Sequence, residues 1–260
     1  MADGLLLIHA FPLDNTMWKP QMDEFGSRMR VFAPNLPGFG GVDPIGPVMG
    51  MDASADMVAA LVREQGAEQV VVCGLSMGGY VALQLWKRHP ALISGLVFAN
   101  TKASADDEAG RERRKQLADR LLTEGNGFLA ENPPPLFSEE APGELVTLVK
   151  NIIAAQPAGS IAAASLGMAA RPDFSPALGD VTVPTLVITA DKDTLIPPEA
   201  TKPMADGIPN ARYEVIEHAG HLSNLQAPSQ FNALLKEHLE RVAEYESERG
   251  HKLPKGMRSS

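Results

Sequence analysis

The chain is short of cysteine, of positive charge and of long apolar runs. Its single thiol, Cys73, excludes an intrachain disulfide framework. Asp and Glu outnumber Lys and Arg by 32 to 23, giving a formal net charge of −9. That balance argues against nucleic acid and anionic membrane surfaces as partners, because both are held by basic patches. No apolar run approaches the roughly 20 residues that cross a bilayer. The run Leu5-Leu6-Leu7-Ile8 is too short for a secretory signal and nothing basic precedes it, so a cytoplasmic location is expected. No low-complexity tract interrupts the 260 residues, enough for one large domain or a core with a small insertion.

What is present is an alternation of short apolar runs with longer helical stretches, the pattern of β/α units around a parallel sheet. Strands are predicted at Leu5 to Ile8, Met29 to Pro34, Gln69 to Cys73, Leu92 to Ala99, Pro184 to Ala190 and Arg212 to Ile216. Helices are predicted at Thr16 to Arg28, Asp52 to Gln65 with Asp52 as N-cap, Gly78 to His89, Pro198 to Gly207 and Pro228 to Glu244. Between Thr101 and Leu178 no strand pattern occurs; Arg111 to Leu122 and Glu144 to Ala155 read as helices, separated by the breaker Pro133-Pro134-Pro135. The division expected is a core over 1–100, a helical cap over 101–178, the rest of the core over 179–244, and a flexible polar tail over 245–260.

The strongest local signal is Gly74-Leu75-Ser76-Met77-Gly78. With 23 glycines in the chain, composition alone supplies a G-x-S-x-G roughly once in ten chains, so the string needs its context. It lies between the clearest strand and a helix, where a sharp turn exposes a serine hydroxyl at the C-terminal edge of the sheet. The glycines let neighbouring backbone pass without a Cβ, and the helix N-terminus places partial positive charge beside a developing anion. A serine that merely caps the helix is the alternative.

A nucleophilic Ser76 needs a base, and the base an orienting acid. His89 and His238 read as surface residues, His251 falls in the tail and His9 precedes the first loop. His218 and His221 remain, both after the last strand; Gly220 and the following helix favour His221. A metal pair on these two lacks further ligands at sensible spacing. The acid is expected just beyond the strand ending at Ala190, where Asp193 is favoured over Asp191 because the chain must first turn away from the strand. After the preceding strand the equivalent position holds Asn100, which cannot act as an anionic orienter. Two backbone N–H donors should hold an oxyanion: Met77 at the helix start and Phe11, ahead of Pro12, in the loop after the first strand.

Together these residues resemble the α/β-hydrolase superfamily, in particular its small bacterial carboxylesterase and 3-oxoadipate enol-lactonase-like branch. His9-Ala10-Phe11-Pro12 resembles the H-G-x-P oxyanion loop, and Leu36-Pro37-Gly38-Phe39-Gly40 the loop after the next strand. Ala190-Asp191-Lys192-Asp193 resembles G-x-x-D, and Ala219-Gly220-His221 the loop of the catalytic histidine. Ala10 and Ala190 replace glycines usual in the family. Only four residues precede the first apolar run, leaving no room for the two antiparallel strands the family usually places there. The expected fold is therefore an α/β-hydrolase sheet of about six strands, all parallel, with a helical cap inserted after the strand ending near Ala99.

The resemblance implies a serine hydrolase acting through an acyl-enzyme on a small carboxylic ester or lactone, with no cofactor or metal. Enol-lactonase, C–C hydrolase and perhydrolase chemistry share the constellation, and a non-catalytic ligand-binding protein is the reading from another class. A monomer or small homo-oligomer is expected. Candidate pocket residues are Phe128, Leu136, Phe137, Met168, Leu195 and Leu222, with core packing the competing role for each. Arg171, where the insertion returns to the core, reads as a surface ion-pair residue or a cation for a substrate carboxylate.

Overall fold

A computed structural model describes residues 2–252. Six strands form one sheet: β1 Gly4–Ile8, β2 Val31–Phe32, β3 Val70–Leu75, β4 Ile93–Ala99, β5 Thr185–Ala190 and β6 Arg212–Ile216. Their order is β2-β1-β3-β4-β5-β6, and every neighbouring pair is parallel. β1, β3, β4 and β5 are buried along their whole length, which is why they read as continuous apolar runs. The two edges differ. β2 pairs only Val31 and Phe32 with β1. β6 carries partly exposed Arg212, Tyr213 and Glu214, with Arg212 ion-paired to Glu214 and Glu237.

From β1 the chain moves outward to β2, then crosses back to β3 on the other side of β1. The direction of winding thus reverses between β1 and β3. Loops leaving the C-terminal ends of such strands part there and open a crevice.

The helices are α1 Lys19–Phe25, α2 Met51–Glu64, α3 Met77–Arg88, α4 Glu108–Glu124, α5 Gly127–Glu131, α6 Gly143–Ala155, α7 Ala158–Ala169, α8 Pro198–Gly207, α9 Ser223–Gln226 and α10 Pro228–Lys252. Four differences from the sequence-based expectation have physical causes. α2 is capped by Gly50, not Asp52; Asp52 sits in the first turn, where its charge favours the helix dipole. α7 was absent from the pattern because its small residues are buried on nearly every side, so no polar face marks a helical period. The expected flexible tail meets a helix, since α10 runs on to Lys252; residues 253–260 lie outside the described residues. His238 is fully buried and not a surface residue. It is covered because α10 seats closely on β4 at Gly95, where a Cβ would meet Val242 at 2.5 Å and the His238 ring at 3.5 Å.

α4 to α7 lie between β4 and β5, with α4 packed along α7. Two backbone bonds tie this segment to the sheet's loops. Met49 donates to the Ala163 carbonyl at 3.0 Å, and Leu222 donates to the Leu136 carbonyl at 2.9 Å. Gly167 lies against the Met49 carbonyl with no room for a side chain. Among the described residues no single helix is long and apolar enough to cross a membrane; α6 and α7 reach that composition only as a pair bent by 96°.

Candidate active site

Ser76 stands between β3 and α3 with φ 55° and ψ −115°, a conformation that L-residues seldom adopt. The neighbouring glycines make it reachable. A Cβ on Gly74 would run into the Gly78 carbonyl, and one on Gly78 into the Ile8 carbonyl. The two motif glycines are therefore in contact with each other and with β1. The turn is held by Ser76 N–H donating to Ala99 O at 2.9 Å and by Thr101 Oγ1 donating to Ser76 O at 2.8 Å.

Asp193 follows β5 and is buried. Its Oδ1 accepts from the backbone N–H of Leu195 and Ile196 at 2.9 and 3.0 Å. Its Oδ2 faces His221 Nδ1 at 2.8 Å and accepts from Asn100 Nδ2 at 2.9 Å. Burial alone would raise the Asp193 pKa, but the His221, Ile196 and Asn100 hydrogen bonds, with the imidazole charge, outweigh it and hold the carboxyl below its ordinary value. His221 is likewise buried, and its bond to Asp193 through Nδ1 leaves Nε2 as the ring nitrogen free for chemistry. His218 is directed elsewhere: its exposed ring lies 3.7 Å from Glu140. Asp191 pairs with Lys192 at 3.3 Å on the surface.

Asn100 bears no charge and so cannot act as the anionic orienter. The structure gives it a different part. It sits at the end of β4 with φ 46°, fully buried, accepting from Ser223 Oγ at 2.6 Å while donating to Asp193. The signal available in the sequence was an Asn at a strand end, a residue that tolerates positive φ.

The loop after β1 is fixed from beneath by His9. Its Nε2 accepts the Leu36 N–H at 3.0 Å, so the proton resides on Nδ1, which faces Ala10 O at 3.1 Å. Burial lowers the His9 pKa to about 4, keeping the ring neutral in that role. The ring also meets Phe39 edge-on at 5.4 Å between centroids. Thus one imidazole ties the loop after β1 to the loop after β2. Ala10, in place of the usual glycine, is fully buried and its N–H meets Met17 Sδ at 3.2 Å. Phe11 is joined to Pro12 by a cis peptide. Met77, as first residue of α3, has no carbonyl one turn earlier for its N–H.

Ser76, His221 and Phe11 all line one cavity of about 360 Å³. Of the candidate pocket residues, Met168, Leu195 and Leu136 line it; Phe128, Phe137 and Leu222 do not. Phe128 lies beneath the Arg120 guanidinium at 3.7 Å. Phe137 packs its backbone against Gly220, and Leu222 is sealed in the core. The lining also takes in Tyr80, Ile196 and a group of charged residues, Lys102, Asp106, Arg113 and Arg114, that the sequence did not point to.

Arg171 is not on the surface. Its side chain is 3% exposed, stacks 4.1 Å over the Tyr80 ring and donates to Asp106 Oδ1 at 2.8 Å, Met168 O at 2.7 Å and Ser104 O at 3.0 Å. Arg114 bonds the other oxygen of Asp106. Burial works against the Asp106 charge, but the two guanidinium hydrogen bonds prevail and hold the carboxyl well below the ordinary carboxylate range. The Arg171 cation is therefore already committed within the protein. Among the described residues no group of three or more His, Cys, Asp or Glu side chains stands together as a metal site.

Residues 5–234 match the alpha/beta hydrolase family, and the chain belongs to it. A thermophilic esterase from Thermogutta terrifontis, solved with malate bound, superposes with a TM-score of 0.89 at 38% identity, covering 92% of this chain and 90% of its own. The pimeloyl-[acyl-carrier protein] methyl ester esterase of Aeromonas hydrophila is 29% identical over 89% of this chain and 93% of its own length. The 3-oxoadipate enol-lactonase 2 of Acinetobacter baylyi is 26% identical over 88% of this chain and 85% of its own.

Proposed function

We propose that this carboxylic-ester hydrolase works through an acyl-enzyme on Ser76. His221 Nε2 takes the Ser76 proton as the oxygen attacks the ester carbonyl. The N–H groups of Phe11 and Met77 receive the oxyanion, the latter at a helix N-terminus whose dipole favours the charge. His221 then gives the proton to the departing alcohol. It next removes one from the water that releases the acid, while Asp193 keeps the imidazole oriented and offsets its charge. The observation that carries the reading is the 2.8 Å contact of His221 Nδ1 with buried Asp193, made in the wall of the cavity that Ser76 also lines.

A fluorophosphonate should label Ser76 stoichiometrically, and p-nitrophenyl butyrate should give a burst of one equivalent of nitrophenol. His221→Ala should lose roughly six orders of magnitude in kcat. His218→Ala, whose ring faces Glu140, should lose almost nothing. An unlabelled Ser76, or an inactive His218→Ala beside an active His221→Ala, would refute the assignment.

A further inference from the structure

The cavity is positively charged in a chain whose net charge is −9. α4 turns Gly110, Arg113, Arg114 and Leu117 toward it, spaced so that all four share one helix face. Lys102 joins them from the turn after β4. Its neighbour Thr101 holds the Ser76 carbonyl, so the cationic wall begins next to the elbow. Asp106 is the one carboxylate in the lining, and Arg114 and Arg171 already occupy both its oxygens. Lys102 reaches it only at 3.6 Å. Among the described residues Arg113 makes no ion pair. Even with Asp193 counted, cations outnumber carboxylates around the cavity. Much of the remaining lining is apolar, with Phe11, Leu136, Met168 and Leu195 among it.

A neutral acyl chain drawn against α4 would strip water from half-buried Lys102 and from the cavity side of exposed Arg113, and offer nothing in return. A carboxylate there would take charge-assisted hydrogen bonds, bidentate from the guanidinium fork. We infer that the substrate is a short ester carrying a carboxylate on the part that lies against α4, held by Arg113 and Lys102. The inference rests on the Ser76 hydrolase reading and narrows its substrate class. The volume of about 360 Å³ lies near the lower end of small-ligand pockets and suits a half-ester of a short dicarboxylic acid.

Two matched pairs test it, differing only in charge. Monomethyl glutarate is compared with methyl glutaramate for a carboxylate on the acyl side, and acetylated glycolate with acetylated glycolamide for the alcohol side. At low ionic strength at least one pair should show a kcat/KM ratio of about ten or more in favour of the carboxylate. That ratio should shrink toward one as salt rises. Arg113→Met should cut the ratio several-fold, and Arg113→Met with Lys102→Met should abolish it. Calorimetric binding of each pair to Ser76→Ala gives the same comparison without turnover.

Ratios near one for both pairs, or a loss in the variants that falls equally on charged and neutral esters, would overturn the inference. Labelled Ser76 and a normal burst with no charge preference would overturn it alone. If no ester is cleaved and Ser76 is unlabelled, the hydrolase reading fails, and binding to Ser76→Ala still decides the carboxylate preference.

Discussion

Asn100 donates to the same carboxylate oxygen of Asp193 that faces the His221 ring, at 2.9 Å beside the 2.8 Å imidazole contact. The amide comes from the end of β4 and the carboxylate from the end of β5, so two adjacent strands fix one oxygen atom. Ser223, in α9 just past His221, closes the arrangement by donating to Asn100.

Asn100 is therefore a positioning residue. Asn100→Ala should lower kcat about tenfold or more with KM changed less than twofold, because the imidazole loses a fixed partner while the cavity keeps its shape. It should also cost about 1–3 kcal/mol of stability, since the Ser223 hydroxyl and the Asp193 oxygen are left short of partners. Steady-state kinetics and urea denaturation separate the two effects. A rise in KM at constant kcat would contradict this role.

The backbone of Ser76 makes a contrasting prediction. Ser76→Gly and Ser76→Ala should both be inactive, but only the glycine relieves the positive φ. The glycine protein should be more stable than the alanine protein by about 1 kcal/mol, after the entropy that glycine adds to the unfolded chain. Equal urea midpoints would show that the turn stores no strain.

Asp106 joins α4 to the segment leading into β5 through Arg114 and Arg171. Asp106→Asn should destabilise the protein by about 3 kcal/mol, because Arg171 would keep its charge in a nearly closed site. Its folded pKa is depressed, so this contribution is present above the unfolded value of roughly 4 and is lost as pH falls below it. A melting point unchanged at pH 7 would sink this account.

Acid should begin to weaken the fold well before that. Burial lowers the His9 pKa to about 4. His238 is lowered to about 3 by burial and by nearby Arg241 and Arg212. The unfolded histidines bind protons near pH 6.5, the folded ones only at much lower pH. Stability is thus full above about 6.5 and declines from there downward. Between pH 6.5 and 5 each buried ring should cost about 2 kcal/mol. His238→Leu should remove roughly half of that slope in denaturation titrations at pH 7.5, 6 and 5. An unaltered slope would place the acid-sensitive group elsewhere.

The sheet and the elbow were legible because their causes are local. Continuous burial wrote strands as apolar runs, and the turn's own crowded backbone demanded glycine at 74, as did its approach to β1 at 78. The parts that escaped depend on who is nearby in space. Arg171, between Ala170 and Pro172, looks like a surface residue until Tyr80 and Asp106 close over it. His238 sits in a charged helix and is buried only because Gly95 lets that helix approach. Two of the cavity's cations, Arg113 and Arg114, belong to α4, the most polar helix between β4 and β5, whose sequence gives no sign of which face looks inward. Phe128 was expected in the pocket as an aromatic residue of the insertion, but the Arg120 guanidinium stacked over its ring gives it a different partner.

The sheet's two margins bear on how such a chain behaves in a crowd. A parallel sheet left without further strands beside β2 offers unpaired amides and carbonyls to any passing extended peptide. Here that margin is two residues long, with the Arg30 guanidinium 4.9 Å over the Phe32 ring. The opposite margin is lined by Arg212 and Glu214. A very short edge strand and a charged one are both features that disfavour strand addition. The all-parallel sheet thus guards itself against fibrous association with one very short strand and one charged one.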